Sequence, residues 1–329
     1  MKSNPVSTVL QIAGGYCLSR CLHVVADLGV ADMLDDNPKT AADLAATVGA
    51  DADALGRALR LLAAHGVFEC RGNMFRHSPA SRLLRTDHPH SLRAFARMFG
   101  LPIFWATSGA LDHTIRTGHP AGDKSYPGGF WTYLAEHPDA NGIFNAAMVG
   151  KAHGQVAGVV TTYDFSGFRR IGDIGGGRGH LLRAVLDAVP GATGVLFDQP
   201  HVIAEAADAA SERLTLQRGD FFKDALPSCD AYLVMEVIHD WGDEESVAIL
   251  RAIRRPAPSH AKLLLIEQIV PDDPGPDWTK TLDVHMLALF GGRQRTRLEY
   301  EALLTQGGFS LQREIAIQGG VSILEATPA

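Results

Sequence analysis

Four glycines, at positions 175, 176, 177 and 179, follow the apolar run Ile171–Ile174 and directly precede a helical segment that opens near Leu181. Glycines in such a turn let the backbone bend sharply and come close to a ligand. The helix N-terminus behind them offers unpaired N–H groups. A dinucleotide fingerprint needs a further glycine at 180, which is His180, and a P-loop needs a lysine that the turn lacks. Asp198 ends the next apolar run, 23 residues after Gly175, where a carboxylate accepts hydrogen bonds from ribose hydroxyls. Gly219-Asp220-Phe221-Phe222 follows the third run. There Asp220 is placed to accept from an adenine amino group and Phe221 to pack on the base. Each element is weak alone. Three in order, each at the end of a strand, point to an adenosine-containing ligand.

The fourth run leads into Val237-Ile-His-Asp-Trp-Gly-Asp243. His239 reads either as a core histidine satisfied by a carbonyl or as a general base, and its place at a strand end favours the base. An ordinary imidazole facing a hydroxyl of pKa about 10 must bridge about 3.5 pKa units, roughly 4.8 kcal/mol for complete proton transfer. That is tolerable when the proton moves as a bond forms, and general-base catalysis contributes about 10²–10⁴-fold. His285 reads as packing first, and otherwise as a pocket residue or a second base. The acidic stretch Asp272–Asp277 reads as a solvated loop.

The elements that must position these residues fall into three stretches: 1–100, 101–163 and 164–329. In the first, Leu18, Leu22, Val25 and Leu28 recur at helical spacing before Gly29. Thr40 with Asp43 predicts a capping box for a helix over Ala41–Thr47, and Asp51 or Asp53 caps the next, which stops at Gly66. Val67–Cys70, Gly72-Asn73 and Met74–Arg76 predict a hairpin. Helix, helix, hairpin is a winged-helix pattern. A DNA-reading helix needs cations, and this one carries only Arg57 and Arg60, so a dimerisation module is the better reading.

The middle stretch is helical and rich in large side chains, among them Phe104, Trp105, Phe130, Trp131 and Met148, with a loop from Gly118 to Gly129. Ordinary helix packing accounts for most of them; an apolar wall for a flat organic molecule is the functional reading. The last stretch alternates strands (Ile171–Ile174, Gly194–Phe197, Leu214–Gln217, Ala231–Met235, Lys262–Ile266, Val321–Ala326) with helices such as Leu181–Val189 and Ser246–Ile253. This predicts an α/β fold: a doubly wound, mostly parallel sheet with Rossmann-like order behind a mainly helical N-terminal domain.

Composition sets the outer bounds. The 329 residues are 46% hydrophobic and 20% charged, ordinary globular values. Thirty basic against 37 acidic residues leave a net charge of −7 with no basic run, so no nucleic-acid partner is expected. Four scattered cysteines without a CxxC pair predict neither a disulfide scaffold nor a metal site, and fit a cytoplasmic protein. No apolar stretch approaches ~18 residues, so no membrane span is expected.

Asp173-Ile-Gly-Gly-Gly-Arg-Gly179, Gly219-Asp-Phe-Phe222, Val237-Ile-His-Asp-Trp-Gly-Asp243, Gly291-Gly-Arg-Gln-Arg-Thr296 and Gly307-Gly-Phe309 together resemble the S-adenosylmethionine-dependent O-methyltransferases of small molecules. The likeness covers nearly the whole chain. It implies methyl transfer to a hydroxyl, most readily a phenol, of an aromatic secondary metabolite, with S-adenosylhomocysteine as product. It implies a homodimer whose N-terminal domains contribute to each other's pockets. Gly175, Gly177, Asp198, Asp220 and Phe221 would bind the cofactor. His239 would be the base and Glu267 would hold its ring. Met148, Asp240, Met286 and Phe290 would line the acceptor pocket. The family's second acidic partner of the histidine is Gln294 here; Met235 and Ala152 replace a lysine and a serine found in some members. N-methylation of a nitrogen heterocycle, or a drifted chemistry on the same scaffold, stays open. So, further off, does a ligand-sensing winged-helix regulator that binds DNA.

Overall fold

The computed structural model describes residues 4–329. They form two compact units, one from the chain up to Ala106 with Trp131–Lys151, the other from Thr107–Phe130 with Ala152–Ala329.

In the first unit the expected capping box is present: Asp43 N donates to Thr40 Oγ1, and Thr40 N donates to Asp43 Oδ2. It starts the helix Ala41–Val48. Asp51 caps Ala52–Ala64 through Ala54 N. The hairpin forms as β2 (Phe68–Arg71) and β3 (Met74–His77), joined by a short β1 (Lys39–Thr40) that pairs with β3. Leu44, Leu59, Leu62, Phe68 and Phe75 close its core. The first recurrent apolar helix ends at Asp27, and Gly29 follows in the left-handed region. Among the described residues no single helix is long and apolar enough to cross a membrane.

The second unit holds β4 (Arg170–Ile174), β5 (Thr193–Asp198), β6 (Leu214–Arg218), β7 (Ala231–Met235), β8 (Lys262–Glu267), β9 (Phe309–Ala316) and β10 (Ser322–Pro328). Their order in the sheet is β6-β5-β4-β7-β8-β10-β9. The five strands from β6 to β8 are parallel, and β10 and β9 close the edge antiparallel. Both faces are covered: one apolar cluster gathers Val234, Ile249, Leu263 and Tyr300, the other Leu182, Leu196, Leu233 and Leu264. The strand order reverses at β4 and β7, and open α/β sheets place ligands outside the carboxyl ends of the strands at such a point.

Three expectations need correcting. β9 was not expected: it is an edge strand whose Gln312, Arg313 and Glu314 are exposed, so its sequence lacks a sustained apolar alternation. The stretch from Gly118 to Gly129 is not all loop but contains a helical turn, Ala121–Ser125. Asp277 is not merely solvated; its Oδ1 accepts from Thr279 N and caps the helix Trp278–Phe290.

Candidate active site

The glycine turn leaves β4 at its carboxyl end. Gly175 and Gly177 have φ of 70° and 58°, a region other residues adopt at a penalty. Between them, a Cβ on Gly176 would lie 2.4 Å from the Asp173 carboxylate. Asp173 is 1% exposed and its Oδ2 has no protein partner. Burial, with the nearby Asp198 charge, pushes its pKa up to about 7. A buried acid with an unsatisfied oxygen beneath a turn without side chains is a cradle for a polar ligand.

Asp198 reaches the turn from β5. Its Oδ2 accepts from Gly177 N at 2.8 Å and its Oδ1 from Gln199 N at 2.7 Å. Burial raises its pKa, and those two backbone bonds oppose the rise. The carboxylate thus holds the turn open-handed, with lone pairs left for hydroxyl donors. Beyond β6, Asp220 accepts from Phe222 N and pairs with Lys223 at 2.9 Å. Phe221 meets Phe222 edge-on at 4.7 Å and Trp241 at 5.8 Å. The spacing of the sequence gave no hint that Trp241 closes this aromatic corner. Glycine cradle, ribose-ready carboxylate and aromatic corner fit the adenosyl end of S-adenosylmethionine. Asp198→Ala should weaken cofactor binding at least tenfold by calorimetry, since it removes both an acceptor and the tether of Gly177; unchanged affinity would misplace the ribose site.

His239 lies in a 3-10 turn, Ile238–Asp240, just after β7. Glu267, at the end of β8 and wholly buried, serves this turn twice. Its Oε2 is 2.7 Å from His239 Nδ1, and its Oε1 accepts from Ile238 N at 2.9 Å. On the other side, Asp240 Oδ1 lies 3.4 Å from Nε2. Burial disfavours the imidazolium, but the carboxylates of Glu267, Asp240 and Glu236 outweigh it and hold the pKa near 9.

A second strap, unforeseen from the sequence, fixes the turn from below. Arg293 N donates to His239 O at 2.8 Å. The guanidinium of Arg295, 1% exposed, donates to Ile238 O and Trp241 O and pairs with Asp243 at 2.7 Å. The only sequence clue was an arginine repeated at alternate positions in Gly291–Thr296.

Gln294, between these arginines, makes no side-chain hydrogen bond to His239: both amide atoms are buried without a hydrogen-bond partner. Its backbone N–H donates to Asp283 Oδ1. Asp283, Met286 and Phe290 are three and four residues apart on the helix Trp278–Phe290 and share one face, and Phe290 meets Phe130 edge-on at 5.1 Å. His285 is partly buried, and burial lowers its pKa. Met148 is partly buried on the helix Pro138–Thr162, in its stretch belonging to the first unit.

Comparison with known proteins places the chain in a family. Residues 90–310 match the model of the O-methyltransferase domain and residues 10–87 that of the O-methyltransferase dimerisation domain. A phenazine O-methyltransferase of Lysobacter antibioticus is 40% identical over 98% of this chain and 97% of its own. The mitomycin biosynthesis 6-O-methyltransferase of Streptomyces lavendulae is 36% identical over 97% and 93%. The crystal structure of a methyltransferase in calicheamicin biosynthesis, in its S-adenosylhomocysteine-bound form, superposes with a TM-score of 0.89 at 33% identity, covering 100% of both chains. With the two family models together matching most of the chain and relatives aligned over nearly its full length, the chain belongs to the S-adenosylmethionine-dependent O-methyltransferases.

Proposed function

We propose that the acceptor is a phenolic hydroxyl of an aromatic secondary metabolite and that His239 removes its proton. The observation that carries this reading is the 2.7 Å contact between His239 Nδ1 and the buried Glu267. A carboxylate on Nδ1 fixes the ring and leaves Nε2 for the acceptor. When bound, the cofactor supplies an electrophilic methyl carbon on a positively charged sulfur. This chain's residues do the rest. Gly175, Gly177, Asp198, Asp220 and Phe221 hold the adenosyl end, and Met286 and Phe290, with Asp240, shape one side of a slot for a flat ring. His239, raised to about 9, needs to bridge only about one unit to a phenol, roughly 1.4 kcal/mol instead of the 4.8 of an ordinary imidazole. Gln294 offers an amide where a second acid would otherwise add charge, and Asp240 and Glu236 supply that charge here.

A homodimer built on the N-terminal domain belongs to the same reading, which the likeness to a phenazine O-methyltransferase and a mitomycin biosynthesis 6-O-methyltransferase supports. The test is incubation with methyl-labelled S-adenosylmethionine and a panel of phenols, naphthols and hydroxyphenazines. Labelled O-methyl products are expected; transfer only to ring nitrogens would replace the phenol reading.

A further inference from the structure

Gln294 is 2% exposed, and neither its Oε1 nor its Nε2 meets a hydrogen-bond partner among the described residues. Burying an amide with both ends unpaired is costly, and an apolar side chain would fill the same space without that cost. The backbone around it is firmly held. Its own N–H donates to Asp283 Oδ1 at 2.8 Å. One residue earlier Arg293 N donates to His239 O, and one residue later Arg295 Nη1 donates to Ile238 O. Gln294 is therefore pinned between the turn that carries the base and the helix that carries Met286 and Phe290.

The flanking side chains set the direction of this one. The guanidinium groups of Arg293 and Arg295 both reach Asp243, at 3.3 and 2.7 Å. Arg295 forms a β-bridge with Ile269, and along extended chain alternate side chains face opposite ways. Gln294 thus turns away from Asp243. His239 does not satisfy it: Nδ1 is taken by Glu267, and Nε2 stands 3.4 Å from Asp240. A partner for the amide is left to the bound acceptor, whose hydroxyl comes to the same turn. A glutamine amide has a donor end and an acceptor end. The group that satisfies both presents an acceptor and a donor side by side, as a carboxamide or a lactam does. A carboxylate offers acceptors alone and would set a negative charge against Oε1. A site built to pair such a group rejects analogues that lack it.

We propose that Gln294 determines acceptor specificity: its amide pairs with a neutral donor–acceptor group, a carboxamide or lactam edge, beside the hydroxyl that is methylated. This rests on the phenol reading of the acceptor. The test measures kcat/KM for 2-hydroxybenzamide, 2-hydroxyacetophenone and 2-isopropylphenol in the wild type, Gln294→Leu and Gln294→Glu. The three substituents match in size and offer an amide two hydrogen bonds, one and none. The variant-to-wild-type ratio for each acceptor cancels differences in phenol acidity, and dividing by the isopropylphenol ratio cancels any shared effect on the base. Against that reference, Gln294→Leu should lose about tenfold for the ketone and about 100-fold for the amide, a factor of about ten for each hydrogen bond. Gln294→Glu keeps the acceptor oxygens but has no donor, and should lose about tenfold for both. It also keeps the side chain's size, so the series is readable even where Gln294→Leu fails to fold. Equal ratios for all three acceptors would overturn the proposal and leave the phenol reading intact. So would a matching fall in S-adenosylhomocysteine affinity by calorimetry, which would give the amide to the cofactor instead. A wild type that methylated none of the three hydroxyls would contradict the phenol reading and this inference together.

Discussion

Replacing His239 with alanine should lower kcat/KM for a phenolic acceptor by about 10²–10⁴-fold and leave cofactor affinity near that of the wild type. The loss falls on chemistry because Glu267 still holds Ile238 N through Oε1, so the turn survives the substitution. The pH profile makes the test sharper. With its pKa near 9, His239 is charged at neutral pH and only its neutral form accepts a proton. Wild-type kcat/KM should therefore rise about tenfold per pH unit until it levels near pH 9. The alanine variant should be flat across that window. Glu267→Gln removes the largest charge favouring the imidazolium and should move the inflection to lower pH. The same pKa, raised above the ordinary 6.5, has a stability counterpart. The imidazolium's contribution is full below about pH 6.5 and is lost as pH climbs through about 9. A variant that kept wild-type activity on an O-acceptor would remove His239 from the reaction; retained activity on a ring nitrogen would point to N-methylation, since a free lone pair needs no base.

Gly292→Ala should disable the enzyme without touching any titrating group. A Cβ at 292 would lie 2.3 Å from His239 O and 2.9–3.0 Å from the Asp240 backbone. Neither neighbour is a side chain that can rotate aside, so either the Ile238–Asp240 turn or the Arg293–Arg295 strap must move. The 2.8 Å bond from Arg293 N to His239 O goes with it. Overpacking of this kind costs about 1–3 kcal/mol, and a displacement of about 1 Å at a positioned base can cost about 100-fold in rate. Thermal unfolding and single-turnover rates check both parts. Gly154→Ala is the control: nothing lies within 4 Å of its Cβ, and alanine favours the helix. If the two variants behaved alike, the strap would not be what holds the base.

What the sequence made legible was whatever rests on local chemistry. The glycine turn, Asp198 and His239 each follow an apolar run, and strand-end placement is enough to mark them. The Thr40–Asp43 capping box and the hairpin in the first unit depend on residues a few positions apart, so spacing reveals them too. Contacts made across the fold were not legible. Asp198 was expected only as a ribose acceptor, yet it also tethers Gly177 across 21 residues. Arg295 looks like a surface charge until 52 residues of chain bring Asp243 beneath it. Glu236 reads as an ordinary strand-end acid, because its left-handed backbone, φ 52°, leaves no trace in composition. β9 was hidden because Arg313, which pairs with Glu325, interrupts the alternation of Phe309, Leu311 and Ile315.

The most direct measurement is a crystal structure grown with S-adenosylhomocysteine. The account predicts its ribose hydroxyls donating to the Asp198 carboxylate, its adenine beside Phe221, and its sulfur on the same side of the turn as His239 Nε2. Density elsewhere, or an imidazole whose Nε2 is walled off from that sulfur, would contradict it.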